Sequence, residues 1–321
     1  MAKIENLQSP VAAAIEKKYE AAQVQADSPV LRCSKIGEEC DAALWFEYRW
    51  TTPLARHSGR QERLFETGRL AEARLVQDLR DIGCFVQEVD PDTGKQWRVS
   101  FLNGVMEGSA DGIGSGVPGA EKTTHLFEFK TMNDKSFQDW RRRGTEQSKP
   151  TYYAQVQIYM HGLGLDRALL LAVNKNNDEV EAERIKYDPA VAEAIVERAK
   201  RIAYSAHVPA KTESFACKWC KHEKVCRYDD WSRAHCRTCL FSELTDAGEW
   251  RCNHHGGTIP VEYQAKGCDK HLFIPDLVPG EQIDADETAH TVTYKLRTPL
   301  GDSDIYVDGA ETKIIVSEAA E

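Results

Sequence analysis

Seven of the ten cysteines in this chain lie between Cys217 and Cys268, in a stretch that has lost the apolar periodicity of a packed domain. From about Pro209 onward, aliphatic residues are too few for the segment to build a core of its own, and a module this poor in core needs staples. The amino terminus, MAKIENLQSP, has no apolar stretch behind its first charges, so the thiols are expected to stay reduced and to serve metals rather than disulfides. Cys217-x2-Cys220-x5-Cys226 supplies three thiolates from one short loop, and a four-coordinate site needs a fourth from elsewhere; spacing alone accepts either zinc or an iron–sulfur cluster. Cys236-x2-Cys239 with Cys252 and Cys268 makes a second set in which zinc is expected, with His254, His255 and His271 as alternative ligands. Cys84, alone on a predicted strand, reads as a small buried hydrophobe.

The chain has 321 residues, 41% of them hydrophobic, which predicts one domain of ordinary size over 1–230 and a smaller one over 231–321. No run of apolar residues is long enough to span a membrane, and a cytoplasmic protein is expected. The net charge of −10 excludes a generally basic coat for nucleic acid, so any phosphate binding falls to local patches.

Ser9-Pro10 before VAAAIEKKYEAAQ predicts a capped helix with proline in its first turn. Further helices are predicted over about 38–50 and 61–82, the second stopped by Gly83. FVQEV, WRVSFL, VMEGSADGIG and HLFEFKT then alternate apolar and polar residues between turn-forming segments, which predicts an antiparallel meander. Helical patterns near 137–143 and 152–163 precede the strands ALLLAVNK and EVEAERIKY and a helix over 189–204. This order predicts an α/β fold with a mixed sheet flanked by helices, plus a small cysteine-rich metal-binding module. In the acidic tail, TVTYKLR and KIIVS predict a terminal hairpin.

On HLFEFKT, side chains alternate, so Glu128 and Lys130 emerge on one face while Phe127 and Phe129 turn to the core. A neighbouring strand can bring Asp111 beside them. Two carboxylates are hard oxygen ligands of the kind Mg²⁺ or Mn²⁺ prefers, and an ammonium group next to them suits phosphodiester hydrolysis. Taken alone, the pattern is short and also fits a solvated hairpin. Gly68-Arg69-Leu70-Ala71-Glu72 on the preceding helix, and Gln155 and Tyr159 one turn apart on the following one, extend it.

These four motifs, GxxxE, GxxD, ExK and QxxxY in this order, resemble the RecB-like branch of the PD-(D/E)XK nucleases, over roughly residues 30–230. That branch includes CRISPR-associated and AddAB-type exonucleases. The resemblance implies a restriction-endonuclease-like mixed sheet, Asp111 and Glu128 as direct ligands of Mg²⁺ or Mn²⁺ with a backbone carbonyl from Phe129, and Glu72 as an additional acidic group. It further implies Lys130 as the catalytic lysine, with Gln155 and Tyr159 holding substrate backbone and water. Glu39-Cys40-Asp41-Ala42-Ala43-Leu44-Trp45-Phe46 is similar to the segment carrying the early cysteine of the family's iron–sulfur members. Cys40 would then join Cys217, Cys220 and Cys226 around a structural 4Fe–4S cluster. The family's proline and basic residues are missing there, which keeps Cys33 as a rival ligand.

Trp140 with Arg141-Arg142-Arg143 and Lys149 is expected to meet a DNA backbone and one stacked base, and Lys218, Lys221, Lys224 and Arg227 to extend that track. The function these readings converge on is a metal-dependent DNA nuclease, an exonuclease in recombination or end processing, encoded by a phage or mobile element. Its partners would be DNA with single strands or free ends and a recombination protein. A second reading is a non-catalytic nucleic-acid adaptor on a nuclease-like scaffold, against which the intact charged set speaks. A third, an iron–sulfur redox protein, lacks any flavin or dinucleotide fingerprint.

Overall fold

A computed structural model of the chain describes residues 9–24, 26–54, 56–228, 230–297, 304–309 and 315–317. In chain order its first half holds α1 (Pro10–Ala21), β1 (Leu31–Arg32), α2 (Asp41–Tyr48), α3 (Gly59–Asp81), β2 (Phe85–Gln87), β3 (Trp97–Phe101), β4 (Met106–Ala110), β5 (Gly112–Ser115) and β6 (His125–Met132). There follow α4 (Asp134–Ser148), α5 (Pro150–Leu163), β7 (Arg167–Asn174), β8 (Val180–Lys186) and α6 (Pro189–Tyr204). The cysteine-rich part contains α7 (Glu223–Arg227), β9 (Ser242–Leu244), β10 (Trp250–Cys252), β11 (Gly257–Thr258) and α8 (Val261–Gln264). Strands β12 (Gly280–Asp286), β13 (Thr291–Leu296), β14 (Asp304–Asp308) and β15 (Ile315–Ser317) end the chain.

Contacts gather into two units, one of Met1–Asp27, Leu54–Val99 and Gly108–Ala192, the other of Ser28–Pro53, Ser100–Glu107 and Glu193–Glu321. Both units are discontinuous in sequence. Within the second unit, Phe46, Tyr48 and Trp50 pack on His222, Trp250 and His235 of the cysteine-rich part.

The first unit is built on a five-stranded mixed sheet of order β2-β5-β6-β7-β8, in which β6 and β7 are parallel and the other pairs antiparallel. Phe127 and Phe129 of β6 and Leu169, Leu171 and Val173 of β7 join Leu75, Val76 and Leu79 of α3 in one apolar core. The register sets Glu128 opposite Leu170 and Lys130 opposite Ala172, so the two charged residues share the other face, against which α5 packs. β7 is buried along nearly its whole length, as a central strand covered on both faces requires. At Gly114 any Cβ would fall 1.8 Å from the Phe85 carbonyl oxygen, so β2 and β5 pair this closely only on glycine.

Helix α3 starts from a capping box in which Ser58 and Gln61 exchange hydrogen bonds. Helix α4 breaks at Gly144, whose φ of 76° is left-handed; Glu183 accepts from the backbone N–H and the hydroxyl of Thr145 just beyond the break. The expected meander is corrected on one point. VMEGSADGIG is two strands rather than one, for the chain leaves β4, which pairs with β3 and β1, at Ala110 and enters β5 of the five-stranded sheet at Gly112. Asp111 is the residue at the switch.

The second unit centres on two buried guanidinium groups. Arg237 lies 3.9 Å from the Trp50 ring centroid, also faces Tyr48 and Trp250, and donates to the carbonyls of Tyr48 and Pro29 and to Gln264. Arg49 lies over Trp45 and Trp250 and donates to the carbonyls of Arg237 and Ser205. Beyond it, β9, β10 and β11 form a small antiparallel sheet, and β12 to β15 a four-stranded antiparallel one. Of the expected terminal hairpin, TVTYKL is β13 and the last strand is β15; β12 and β14 are additional partners. No described helix is long and apolar enough to cross a membrane.

Candidate active site

The switch at Asp111 places its side chain against β6, where Oδ2 accepts from the Phe129 backbone N–H at 2.9 Å. Glu128 is 1% exposed. Its Oε1 accepts from Lys130 Nζ and, at 2.8 Å, from Gln155 Nε2, whereas Oε2 is buried without a hydrogen-bond partner. Gln155 Nε2 also donates to the Tyr159 hydroxyl at 3.4 Å, and Gln155 Oε1 accepts from Lys130 Nζ at 3.4 Å. The structure thus brings together Asp111, Glu128, Lys130, Gln155 and Tyr159. Glu72 on α3 joins them electrostatically, acting on Glu128 and responding to Asp111 and Lys130.

Burial pushes the Glu128 carboxyl up to about 7; Lys130 opposes the rise and Asp111 adds to it. Burial raises Asp111 as well, against the stabilising Phe129 N–H and Lys130, and it raises Glu72, with Asp111 adding to the shift. Desolvation acts to lower the Lys130 ammonium, but the Glu128 carboxylate outweighs it and the net shift is upward. Burial raises all three carboxylates, which disfavours their charged forms in the absence of a compensating cation, and the buried Glu128 oxygen has no hydrogen-bond partner. Both observations fit a divalent cation held by oxygen. Among the described residues, no three His, Cys, Asp or Glu side chains converge closely enough to hold a metal ion as they stand.

A cavity of about 400 Å³ opens onto this cluster, with Phe65, Arg69 and Glu72 of α3 along one side and Phe129, Lys130 and Tyr152 along the other. Lys130 Nζ lies 4.8 Å from the Tyr152 ring centroid. Phe65, Arg69 and Tyr152 are site residues that the motif pattern does not single out. The signal for Phe65 and Arg69 was helical spacing, since positions 65, 68 or 69, and 72 fall on one face of α3, while Tyr152 precedes Gln155 by one turn of α5.

All ten cysteines are free thiols. Cys40, at the N-terminus of α2, acts electrostatically on Cys220 and Cys226, which with Cys217 also act on one another. Arg198 fixes the start of that helix by binding Asp41 and the carbonyls of Ile36 and Glu38. Cys33 is fully buried, which pushes its thiol up to about 12, and its charged neighbour is Glu107. In the second set, Cys236, Cys239, Cys252 and Cys268 line one cavity of about 210 Å³ together with His255 and His271, and His255 Nε2 is 3.7 Å from Cys268 Sγ. His254 packs instead on Phe241 and His290. Cys236, Cys239, Cys252 and Cys268 share a cavity and Cys40, Cys217, Cys220 and Cys226 influence one another's charge, and thiols are the donors a thiophilic metal or cluster takes. Cys84 is buried and donates to the Gly116 carbonyl.

The expected base-stacking role of Trp140 is corrected. Trp140 is 1% exposed and spends its indole N–H on Thr145, so it offers no face to a base. The arginines beside it are bound to carboxylates: Arg141 to Glu179 and Glu181, Arg142 and Arg143 to Asp139.

No family model matches the chain, and no curated protein matches it. Solved structures similar to it include the crystal structure of SSO0001, 15% identical over 68% of this chain and 98% of that one, with a TM-score of 0.42. An alkaline exonuclease from Laribacter hongkongensis is 17% identical over 58% and 90%, with a TM-score of 0.36. A phage-related exonuclease from Haemophilus somnus 129PT is 15% identical over 54% and 91%, with a TM-score of 0.38.

Proposed function

We propose that the chain is a metal-dependent DNA nuclease of the PD-(D/E)XK kind, acting on free ends or single strands. The observation that carries the reading is the convergence of Asp111, Glu128 and Lys130 at β6, beside the cavity that Lys130 and Glu72 line, with a buried Glu128 oxygen that no hydrogen bond satisfies. Asp111 and Glu128, supported by Glu72 and the Phe129 carbonyl, are the residues to hold Mg²⁺ or Mn²⁺. Bound there, the cation supplies acidification of a water and neutralisation of phosphate charge. Lys130 orients the attacking water and offsets negative charge developing on the phosphate. Gln155 fixes the Glu128 carboxylate, and Tyr159 steadies Gln155 in turn. Arg69 meets the phosphate backbone at the cavity wall, while Phe65 and Tyr152 pack against the terminal nucleotide.

In the same reading Cys40, Cys217, Cys220 and Cys226 hold a 4Fe–4S cluster that clasps α2 to the late cysteine loop, and Cys236, Cys239, Cys252 and Cys268 hold zinc. Both are structural, since a closed four-thiolate site keeps no position for water. A recombination protein as partner, a cytoplasmic setting and a phage or mobile-element origin belong to the same proposal. The test is to incubate purified protein with 5′- and 3′-labelled single- and double-stranded DNA, with and without Mg²⁺ or Mn²⁺. Products that accumulate only with the metal support the nuclease; DNA bound tightly and never cut in either metal favours the adaptor.

A further inference from the structure

The loop that carries Cys217 and Cys220 exposes two large aromatic rings side by side. Phe215 and Trp219 are 70% and 71% exposed, while Trp45, Trp50, Trp140 and Trp250 are all buried. The two exposed rings sit edge to face, with centroids 4.7 Å apart, on one short helical turn, Phe215–Trp219. Lys218, between them, holds its ammonium 5.2 Å from the Phe215 centroid. From Lys211 to Tyr228 five lysines and arginines face two glutamates, a local excess of three positive charges in a chain of net charge −10. Lys221 is held by Glu47 and Lys211 donates to the Cys226 carbonyl, while Lys218, Lys224 and Arg227, the last of which donates to Cys217 Sγ, are the further exposed cations of the patch.

We propose that Phe215 and Trp219, flanked by Lys218, Lys224 and Arg227, form a stacking platform for the unpaired bases of single-stranded DNA. Two large rings left in water lose the burial that stabilises aromatics elsewhere in the chain, and unstacked bases restore it. Cations interleaved with the two rings match the phosphates that run beside those bases. A duplex keeps its bases stacked inward and offers the rings nothing. The choice of DNA rests on the nuclease reading; the aromatic and basic pairing itself does not.

The experiment uses the full chain without added divalent cation and a fluorescein-labelled 20-mer of dT, with a 20-base-pair duplex as control. Phe215→Ala and Trp219→Ala each weaken binding of the single strand about tenfold, and Trp219→Phe restores it. Lys218→Gln and Lys224→Gln each flatten the dependence of log affinity on log salt by about 0.7. Photo-crosslinking of the unaltered protein to a 5-iodouracil-substituted strand, mapped by mass spectrometry, gives an independent readout that needs no variant. Adducts on Phe215 or Trp219 support the platform. Unchanged affinity in both alanine variants, or adducts confined to other segments, overturns it. A chain that cuts DNA while the platform variants bind normally loses the platform alone, and one that binds through Trp219 without ever cutting loses the nuclease alone.

Discussion

Under the proposed function the site's chemistry turns on Glu128, to whose Oε1 Gln155 donates. Replacing Gln155 by Leu keeps the helix and removes the hydrogen bond to Oε1. Cleavage should fall about 10- to 100-fold, the effect typical of groups that orient a metal ligand, with circular dichroism unchanged; full activity in that variant would show that Glu128 needs no such support. At the cysteine site, anaerobically purified protein should be brown with broad visible absorbance, and Cys40→Ser should lose both colour and iron while Cys33→Ser keeps them. A colourless protein carrying zinc in both sites would overturn the cluster. The charged triad was legible because a strand has a two-residue period, so ExK announces two side chains on one face. Trp140 was misread because sequence cannot tell an exposed indole from one whose N–H is already bound inside the fold.

At the scale of elements, Phe127 joins β6 to α3. It is fully buried beside Phe129, and Phe127→Ala should destabilise the first unit by about 3–5 kcal/mol in urea or thermal unfolding. In the second unit, Glu47 of α2 binds Lys35 and Lys221. Burial works against its charged form, but the two ammonium groups overcome it and hold the carboxyl at about 2. The folded value lies below the unfolded one, so this contribution is complete above about pH 4.5 and is lost as pH falls from there through 2, amounting to about 2–3 kcal/mol. Glu47→Gln should flatten the acid limb of the stability curve over that window, and an unchanged limb would contradict the ion pairs. Helices at 61–82 and 189–204 were readable from periodicity and capping. The break between β4 and β5 was not, since Ala110-Asp111-Gly112 continues the alternation of the strands on either side and only the pairing partners change.

Across the whole molecule, residues 28–53 share a contact unit with residues 193–321. The cause is chemical: Arg49 and Arg237 find their rings and carbonyls in segments nearly 190 residues apart, and nothing local in sequence marks such a pairing. The cysteine-rich module is therefore less separable than its composition implies, because cutting the chain after Asp230 removes Arg237 from between Tyr48 and Trp50. Arg237→Ala should lower stability by about 2–4 kcal/mol, through lost packing and unpaired carbonyls, while leaving the zinc content near that of the unaltered protein. The central claim is that Asp111, Glu128 and Lys130 cut DNA with a divalent cation. Its most direct measurement compares the triple variant Asp111→Ala, Glu128→Ala, Lys130→Ala with the unaltered chain, at matched purity, on end-labelled DNA in Mn²⁺. The account predicts cleavage by the unaltered chain that EDTA abolishes, and no cleavage by a variant whose circular dichroism is native; cleavage by the triple variant at the unaltered rate would contradict it.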